Sequence, residues 1–249
     1  MFLTRAAHNL YDSLLSVFYP QPCVICGSSV ESRTHLPACV TCWKLTSIFD
    51  GTESLCWKCG MVIHPAGREV DPSAIFCHRC DEHLFEGARA CGVYMLALRE
   101  AVLQLKRQPH MPSYLVQFLV RVARRSPLNQ ATRIIPVPLH PQRERQRGFN
   151  QAAVIARTIG PLLGLAVDET VLTRRGGYQK YRAGLDQKGR FDSVANAFEV
   201  RFPAIVRNEV ILLVDDVFTT GATASTCAEA LKAAGARSVY VLTLARPAN

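Results

Sequence analysis

The chain has 249 residues with a formal charge of +9; 49% are hydrophobic and 20% charged. That balance suits one large or two small globular domains and excludes an intrinsically disordered chain. No apolar run approaches the roughly 18 residues that a membrane-spanning helix needs.

At the start, Phe2, Leu3, Leu10, Leu14, Val17 and Phe18 alternate with Arg5, His8, Asn9, Asp12 and Ser16. This is helical spacing rather than the continuous apolar stretch and small-residue cleavage site of a signal peptide. A surface-packing or docking helix is expected over 1–19, with membrane attachment as the alternative. The absence of an export signal, together with the cysteines, points to a cytoplasmic location.

Eight of the ten cysteines precede Cys91 and form four Cys-x-x-Cys pairs: Cys23/Cys26, Cys39/Cys42, Cys56/Cys59 and Cys77/Cys80. Two intervening residues suit a tight knuckle that points both thiolates at one metal, and two knuckles close a tetrahedral four-sulfur site. Gly27 and Gly60 follow the first and third pairs, where such a knuckle often needs a positive φ. The simplest pairing is sequential and holds two structural zinc ions; crossed pairing stays open. Disulfides would need an oxidising compartment, and a thioredoxin-like site would need one such pair beside a βαβ pattern. His35, His64, His78 and His83 lie nearby and read as ordinary surface residues. Cys91 and Cys227 stand alone among small and apolar neighbours and read as inert core.

The charge divides the chain at the same place. Residues 1–85 carry 6 Lys/Arg against 8 Asp/Glu, and residues 86–249 carry 23 against 12. Two domains are therefore expected: an amino-terminal helix with a double zinc ribbon over 1–85, and a basic domain over 86–249. Metal binding supplies much of the folding energy of the first, which has little else for a core.

In the second part the apolar pattern predicts a strand over 92–98, helices over 100–106 and 114–125, a strand over 133–137 and a helix over 150–163. It then predicts a strand over 209–214, a helix over 221–234 ended by Gly235, and a strand over 239–244. The unbroken branched apolar run before Asp215 suits a strand buried on both faces. Alternating strands and helices argue for an α/β fold with a mostly parallel sheet.

The sharpest signal is Ile211-Leu212-Leu213-Val214-Asp215-Asp216-Val217-Phe218-Thr219-Thr220-Gly221-Ala222-Thr223. A buried strand delivers two carboxylates at its carboxyl end, where open α/β sheets bind ligands. Small residues and a helix amino terminus follow, so backbone N–H groups can close on an anion. A phosphorylated sugar fits both parts: phosphate in the loop, ribose hydroxyls on the acids. A plain solvated turn would not require the Thr-Thr-Gly-Ala-Thr sequence.

This segment resembles the motif of type I phosphoribosyltransferases that binds 5-phosphoribosyl-1-pyrophosphate (PRPP). Ile135-Pro136-Val137-Pro138, then Arg143, Arg145 and Arg147-Gly148-Phe149-Asn150-Gln151, resembles a block of the ComF family. That family also carries amino-terminal Cys-x-x-Cys ribbons and a Leu-Lys dipeptide like Leu105-Lys106. The resemblance implies a double zinc ribbon followed by a type I phosphoribosyltransferase fold. It implies that Thr219, Thr220, Gly221, Ala222 and Thr223 hold the 5′-phosphate, with Val217 and Phe218 leading into the loop. Asp215 and Asp216 would hold the ribose, and Mg²⁺ would bridge ribose and pyrophosphate. ComF-like proteins are associated with natural competence and imported single-stranded DNA, so that DNA, competence-machinery proteins and a second copy of the chain are the implied partners. The sequence departs from the family between Thr173 and Phe198: Arg182 precedes Ala183-Gly184-Leu185, and Ser193 follows Arg190 where the family has Asn.

Residues 133–190 hold eleven Lys/Arg against four Asp/Glu. Lys106, Arg143, Arg145 and Arg147 are the candidates for pyrophosphate or nucleic-acid contact. Arg174, Arg175 and Lys180 read as a solvated loop or a DNA contact, and Tyr178 and Tyr181 as base-stacking or packing residues. Three functions remain open: a Mg²⁺-dependent phosphoribosyltransferase, a catalytically silent PRPP-sensing module that binds nucleic acid or protein, and a ribbon scaffold with a vestigial domain.

Overall fold

The computed structural model describes residues 21–63, 71, 73, 75–77, 80, 82–175 and 197–248. The amino-terminal helix expected over 1–19, and His64, His78, Tyr178, Lys180, Tyr181, Arg182, Arg190 and Ser193, lie outside them.

The described elements are a short helix α1 (Val40–Lys44), strand β1 (Gly87–Val93), helices α2 (Leu96–Leu105) and α3 (Ser113–Ala123), and strand β2 (Arg133–Pro136). Helices α4 (Pro141–Arg147) and α5 (Gln151–Leu163) and strands β3 (Ala166–Val167), β4 (Leu172–Arg174) and β5 (Phe198–Val200) follow. Helix α6 (Pro203–Val206), strand β6 (Val210–Val217), helix α7 (Ala222–Ala233) and strand β7 (Ser238–Arg246) complete the order.

Five strands form one sheet in the order β1-β7-β6-β2-β3, every pair parallel, and β4 pairs with β5 in a separate antiparallel ribbon. The central strand is β6. Its side chains alternate between two cores. Val210, Leu212 and Val214 join α2, α3 and α5 on one face, and Ile211 and Leu213 join α7 on the other. A strand covered on both faces has no polar side to spare, which accounts for its apolar run.

The strand expected over 92–98 lies earlier, at Gly87–Val93, and Leu96–Leu98 open helix α2. Ala97, Leu98, Ala101, Val102 and Leu105 are buried at helical spacing, so the helix period prevails there. The small residues of β1 have another cause. The segment after the first ribbon crosses this strand: Phe49 N donates to Cys91 O at 2.7 Å and Val93 N donates to Ser47 O at 2.9 Å. A Cβ at Gly92 would lie 2.2 Å from Ser47 O, so only glycine fits.

The cysteine-rich part shares its packing with the sheet domain. Trp43 meets Tyr114 and Phe118 of α3 at 5.3 and 6.1 Å, and its indole N–H donates to His35 O at 2.6 Å. Cys91 and Cys227 are fully buried, and burial pushes both thiols up.

Candidate functional site

Two four-cysteine groups are assembled by the knuckles: Cys23, Cys26, Cys39 and Cys42, and Cys56, Cys59, Cys77 and Cys80. Pairing is thus sequential. In each group the sulfur atoms lie within 4.8 Å of one another, and Gly27 and Gly60 turn the knuckles with φ of +75° and +69°. Sulfur–sulfur distances of 3.7, 3.5 and 3.5 Å (Cys26–Cys39, Cys56–Cys80, Cys59–Cys77) are far from a bonded disulfide. They approach the roughly 3.8 Å edge of a tetrahedron with zinc–sulfur bonds of about 2.3 Å.

The charges around the second group fit a metal tetrathiolate, which carries two negative charges. Arg89 donates to Trp57 O at 2.8 Å and to Cys56 O at 3.5 Å, and Arg246 donates to Cys59 O at 2.8 Å. Neither arginine is in an ion pair among the described residues, and Arg246 is only 7% exposed. Burying cations without counter-charge is costly, and a dianionic cluster supplies it. Two thiols of the first group, Cys23 and Cys26, and one of the second, Cys56, are also lowered. Hydrogen bonds from the Ser28 hydroxyl and backbone bring Cys26 to about 6. Burial pushes Cys56 up, but backbone N–H groups of Cys59 and Cys77 outweigh it and bring it to about 7.

The second constellation lies at the carboxyl end of β6. Asp216 points to the α2 and α5 face. Its Oδ2 lies 3.2 Å from Lys106 Nζ and accepts a hydrogen bond from Gln151 Nε2 at 3.3 Å. Lys106 caps the end of α2, and Gln151 opens α5. Gln151 Oε1 in turn accepts from Arg147 Nη1. Four residues of the Arg147-to-Gln151 run therefore have structural jobs. Arg147 ends α4, and Gly148 turns the chain with φ of +82°. Asn150 caps α5 by accepting from Ala152 N at 3.0 Å, and its own amide donates to Val137 O at 2.9 Å, tying the turn to the end of β2.

Asp215 has the parity of Ile211 and Leu213 and so leaves the strand on the α7 side. Its Oδ1 accepts from Asp216 N at 2.8 Å. Burial, then the neighbouring Asp216 charge, push its carboxyl up to about 8.

The loop after β6 keeps Thr219 and Thr220 exposed and buries Phe218 and Gly221. Phe218 N donates to Ala245 O at 2.9 Å, fixing the loop to β7. Gly221 is the α7 cap with φ of +79°, where a side chain would be strained. The first N–H groups of α7 have no intrahelical partner; Ala222 N donates to Thr220 Oγ1 at 3.4 Å, and Ala222 and Thr223 are exposed.

Of the basic candidates, Lys106 and Arg147 converge on the Asp216 network. Arg143 and Arg145 are exposed on α4, which follows the carboxyl end of β2 at the same edge of the sheet. Arg175 pairs with Glu199 at 3.2 Å, and Arg174 lies over the Phe198 ring at 5.4 Å. Gln151 and Asn150 were legible only as letters of a motif, with no sign of which atoms they would join. His83, expected at the surface, is half-buried and lies against Gly221.

A parallel sheet whose central strand ends in an acid pair and a threonine-rich loop, joined to two four-cysteine groups, defines a phosphoribosyltransferase-type domain with a double zinc-ribbon pattern. The chain is 32% identical over 225 residues to the DNA utilization protein YhgH of Salmonella typhi, covering 85% of this chain and 94% of that protein. It is 33% identical over 137 residues to competence protein F of Haemophilus influenzae, covering 53% of this chain and 58% of that one. Competence protein ComFC of Streptococcus pneumoniae is 24% identical over 248 residues, 90% of this chain and 99% of that one. The chain belongs to the ComF family of competence and DNA-utilization proteins. No family model matches it. Among solved structures, a glutamine PRPP amidotransferase from B. subtilis aligns with 59% of this chain and 26% of its own at 16% identity and a TM-score of 0.36.

Proposed function

We propose that this protein binds PRPP with Mg²⁺ at the carboxyl end of β6 and acts in natural competence, in the handling of imported single-stranded DNA. The observation that carries the ligand reading is the buried Asp216 carboxylate, held between Lys106 and Gln151 beside an open threonine-rich loop. Thr219, Thr220, Gly221, Ala222 and Thr223 would bind the 5′-phosphate through N–H and hydroxyl groups, with Val217 and Phe218 supplying the strand-to-loop backbone. Asp215 and Asp216 would receive the ribose hydroxyls. Lys106 and Arg147 would meet the pyrophosphate, whose charge grows as it leaves. Mg²⁺, when bound, would neutralise pyrophosphate oxygens.

In the transferase reading a nucleophilic nitrogen attacks C1 of the ribose. The C1–oxygen bond to pyrophosphate breaks, the electron pair leaves with pyrophosphate, and the nucleophile loses its proton to solvent. The cysteine groups hold one zinc ion each and anchor residues 1–85 to the PRPP-binding part over 86–249. Action in the cytoplasm fits the thiolate chemistry, and no described helix is long and apolar enough to cross a membrane.

A silent PRPP-sensing module is the second reading. It is favoured by Asp215, whose carboxyl is pushed up to about 8 by burial and the neighbouring Asp216 charge, which disfavours the ionised form that would meet a ribose hydroxyl or metal most strongly. Exposed Arg143 and Arg145 would then offer the nucleic-acid contact. The two readings part on pyrophosphate release from PRPP and Mg²⁺ with nucleobases or a single-stranded oligonucleotide as acceptor. Release that depends on acceptor supports transfer, and binding without release supports sensing. Neither binding nor release contradicts both.

A further inference from the structure

The second ribbon lies directly against the loop that follows β6. A Cβ at Gly221 would sit 2.8 Å from His83 Cε1 and 2.9 Å from His83 Nε2, so the imidazole edge fills the space beside the α7 cap. The ring is fixed from several sides. It stacks on Phe85 at 4.9 Å with an interplanar angle of 25°, and Phe85 meets Phe218 edge-on at 5.8 Å. His83 N donates to the carbonyl of Cys80 at 3.2 Å. Leu84 N donates to Ser225 Oγ at 3.0 Å, pinning the segment to the first turn of α7. From the other side Arg246 bonds Cys59 O, lies over the Phe218 ring at 5.8 Å and leaves its buried Nε without a partner. Between ribbon and loop is a cleft of about 370 Å³ lined by Cys59, Cys80, His83, Thr219, Thr220 and Arg246.

We propose that His83, carried on the second ribbon, is a positioning residue for the phosphate loop. The inference rests on the reading of Thr219–Thr223 as a 5′-phosphate cradle. A loop of exposed threonines around a glycine has little packing of its own, and the imidazole keeps it from relaxing toward the ribbon. A loop held in its binding shape does not have to be ordered by the ligand. The second cysteine group thereby acts on the phosphate loop through His83.

Calorimetric titrations of PRPP, ribose 5-phosphate and pyrophosphate, each with Mg²⁺, into full-length zinc-loaded wild type, His83→Ala and His83→Gln test this. Zinc content is measured on each protein. His83→Ala is expected to keep two zinc ions, to bind PRPP and ribose 5-phosphate about tenfold more weakly and to bind pyrophosphate unchanged. His83→Gln, with a side chain of similar reach to fill the space beside Gly221, is expected to recover most of the loss. Unchanged ribose 5-phosphate affinity in His83→Ala overturns the inference. So does equal weakening of pyrophosphate, or loss of a zinc ion, either of which marks a broader structural effect. Wild type that binds none of the three removes the phosphate-loop reading itself.

Discussion

Asp215 and Asp216 are neighbours in the chain, yet their side chains leave β6 on opposite faces of the sheet. Asp216 faces Lys106 and Gln151, and Asp215 faces α7. The two acids therefore meet different surroundings before any ligand arrives. Asp216 has a cation 3.2 Å away, whereas Asp215 has burial and a like charge against it.

That difference sets opposite effects for two conservative substitutions. The folded value of Asp215, about 8, lies above the ordinary carboxylate value of about 3.9. Its contribution to stability is fully present below about pH 4 and is lost as pH rises through about 8, with a limiting slope of about 1.4 kcal/mol per pH unit. Asp215→Asn removes that loss and is expected to raise the melting temperature of the ligand-free protein at pH 8, with little change near pH 4. Asp216→Asn deprives Lys106 of its partner and is expected to lower it at pH 7. Thermal unfolding across pH checks both, and parallel shifts of the two variants would contradict the opposed faces.

Arg143 and Arg145 are exposed on α4, whereas Lys106 and Arg147 belong to the Asp216 network. The double variant Arg143→Ala/Arg145→Ala is expected to leave PRPP affinity unchanged. If both residues meet phosphates of single-stranded DNA, the slope of log K against log salt should fall by about 0.7 for each contact removed. Lys106→Ala is expected to weaken PRPP binding about tenfold. Fluorescence anisotropy over a salt series and calorimetry read the two effects. A loss of PRPP binding in the arginine variant would show that α4 belongs to the ligand site.

The sheet edge gives a packing test. A Cβ at Gly92 would meet Ser47 O at 2.2 Å and Ile48 Cα at 3.0 Å, both backbone atoms that cannot swing aside alone. Gly92→Ala is expected to destabilise the protein by about 1–3 kcal/mol in urea unfolding. Wild-type stability would mean that the segment after the first ribbon does not pack on β1 as described.

Zinc analysis tests the cysteine groups. Two ions per chain are expected, and cobalt substitution should give the intense visible bands of tetrathiolate coordination. Strong chelation is expected to lower the melting temperature sharply, since it removes the ligand-set energy and leaves the buried Arg246 and the half-buried Arg89 beside the second group without counter-charge. One ion per chain would leave one of the two groups without a metal role.

Much of this was legible in the sequence because the signals were local. Cysteine spacing carried the two four-sulfur groups, and the apolar run before Asp215 carried the central strand. Helix α4 escaped because it buries no residue and so has no apolar period, although Pro141 at its first turn and Gly148 after its end mark it. Strand β1 was displaced because its small residues reflect a crossing backbone, which no pattern within the strand records. The Asp216 contact with Gln151 and the approach of His83 to Gly221 join residues 65 and 138 positions apart. Each is set by which face of β6 or which side of a ribbon a residue occupies, so it exists only once the elements are packed.

The most direct measurement is a calorimetric titration of PRPP with Mg²⁺ into zinc-loaded wild type, beside the double variant Asp215→Asn/Asp216→Asn. Saturable, Mg²⁺-dependent binding to the wild type that the double variant loses, with both proteins folded, is the expected result. A well-folded, zinc-loaded wild type that takes up no PRPP would contradict the account and leave a ribbon scaffold in its place.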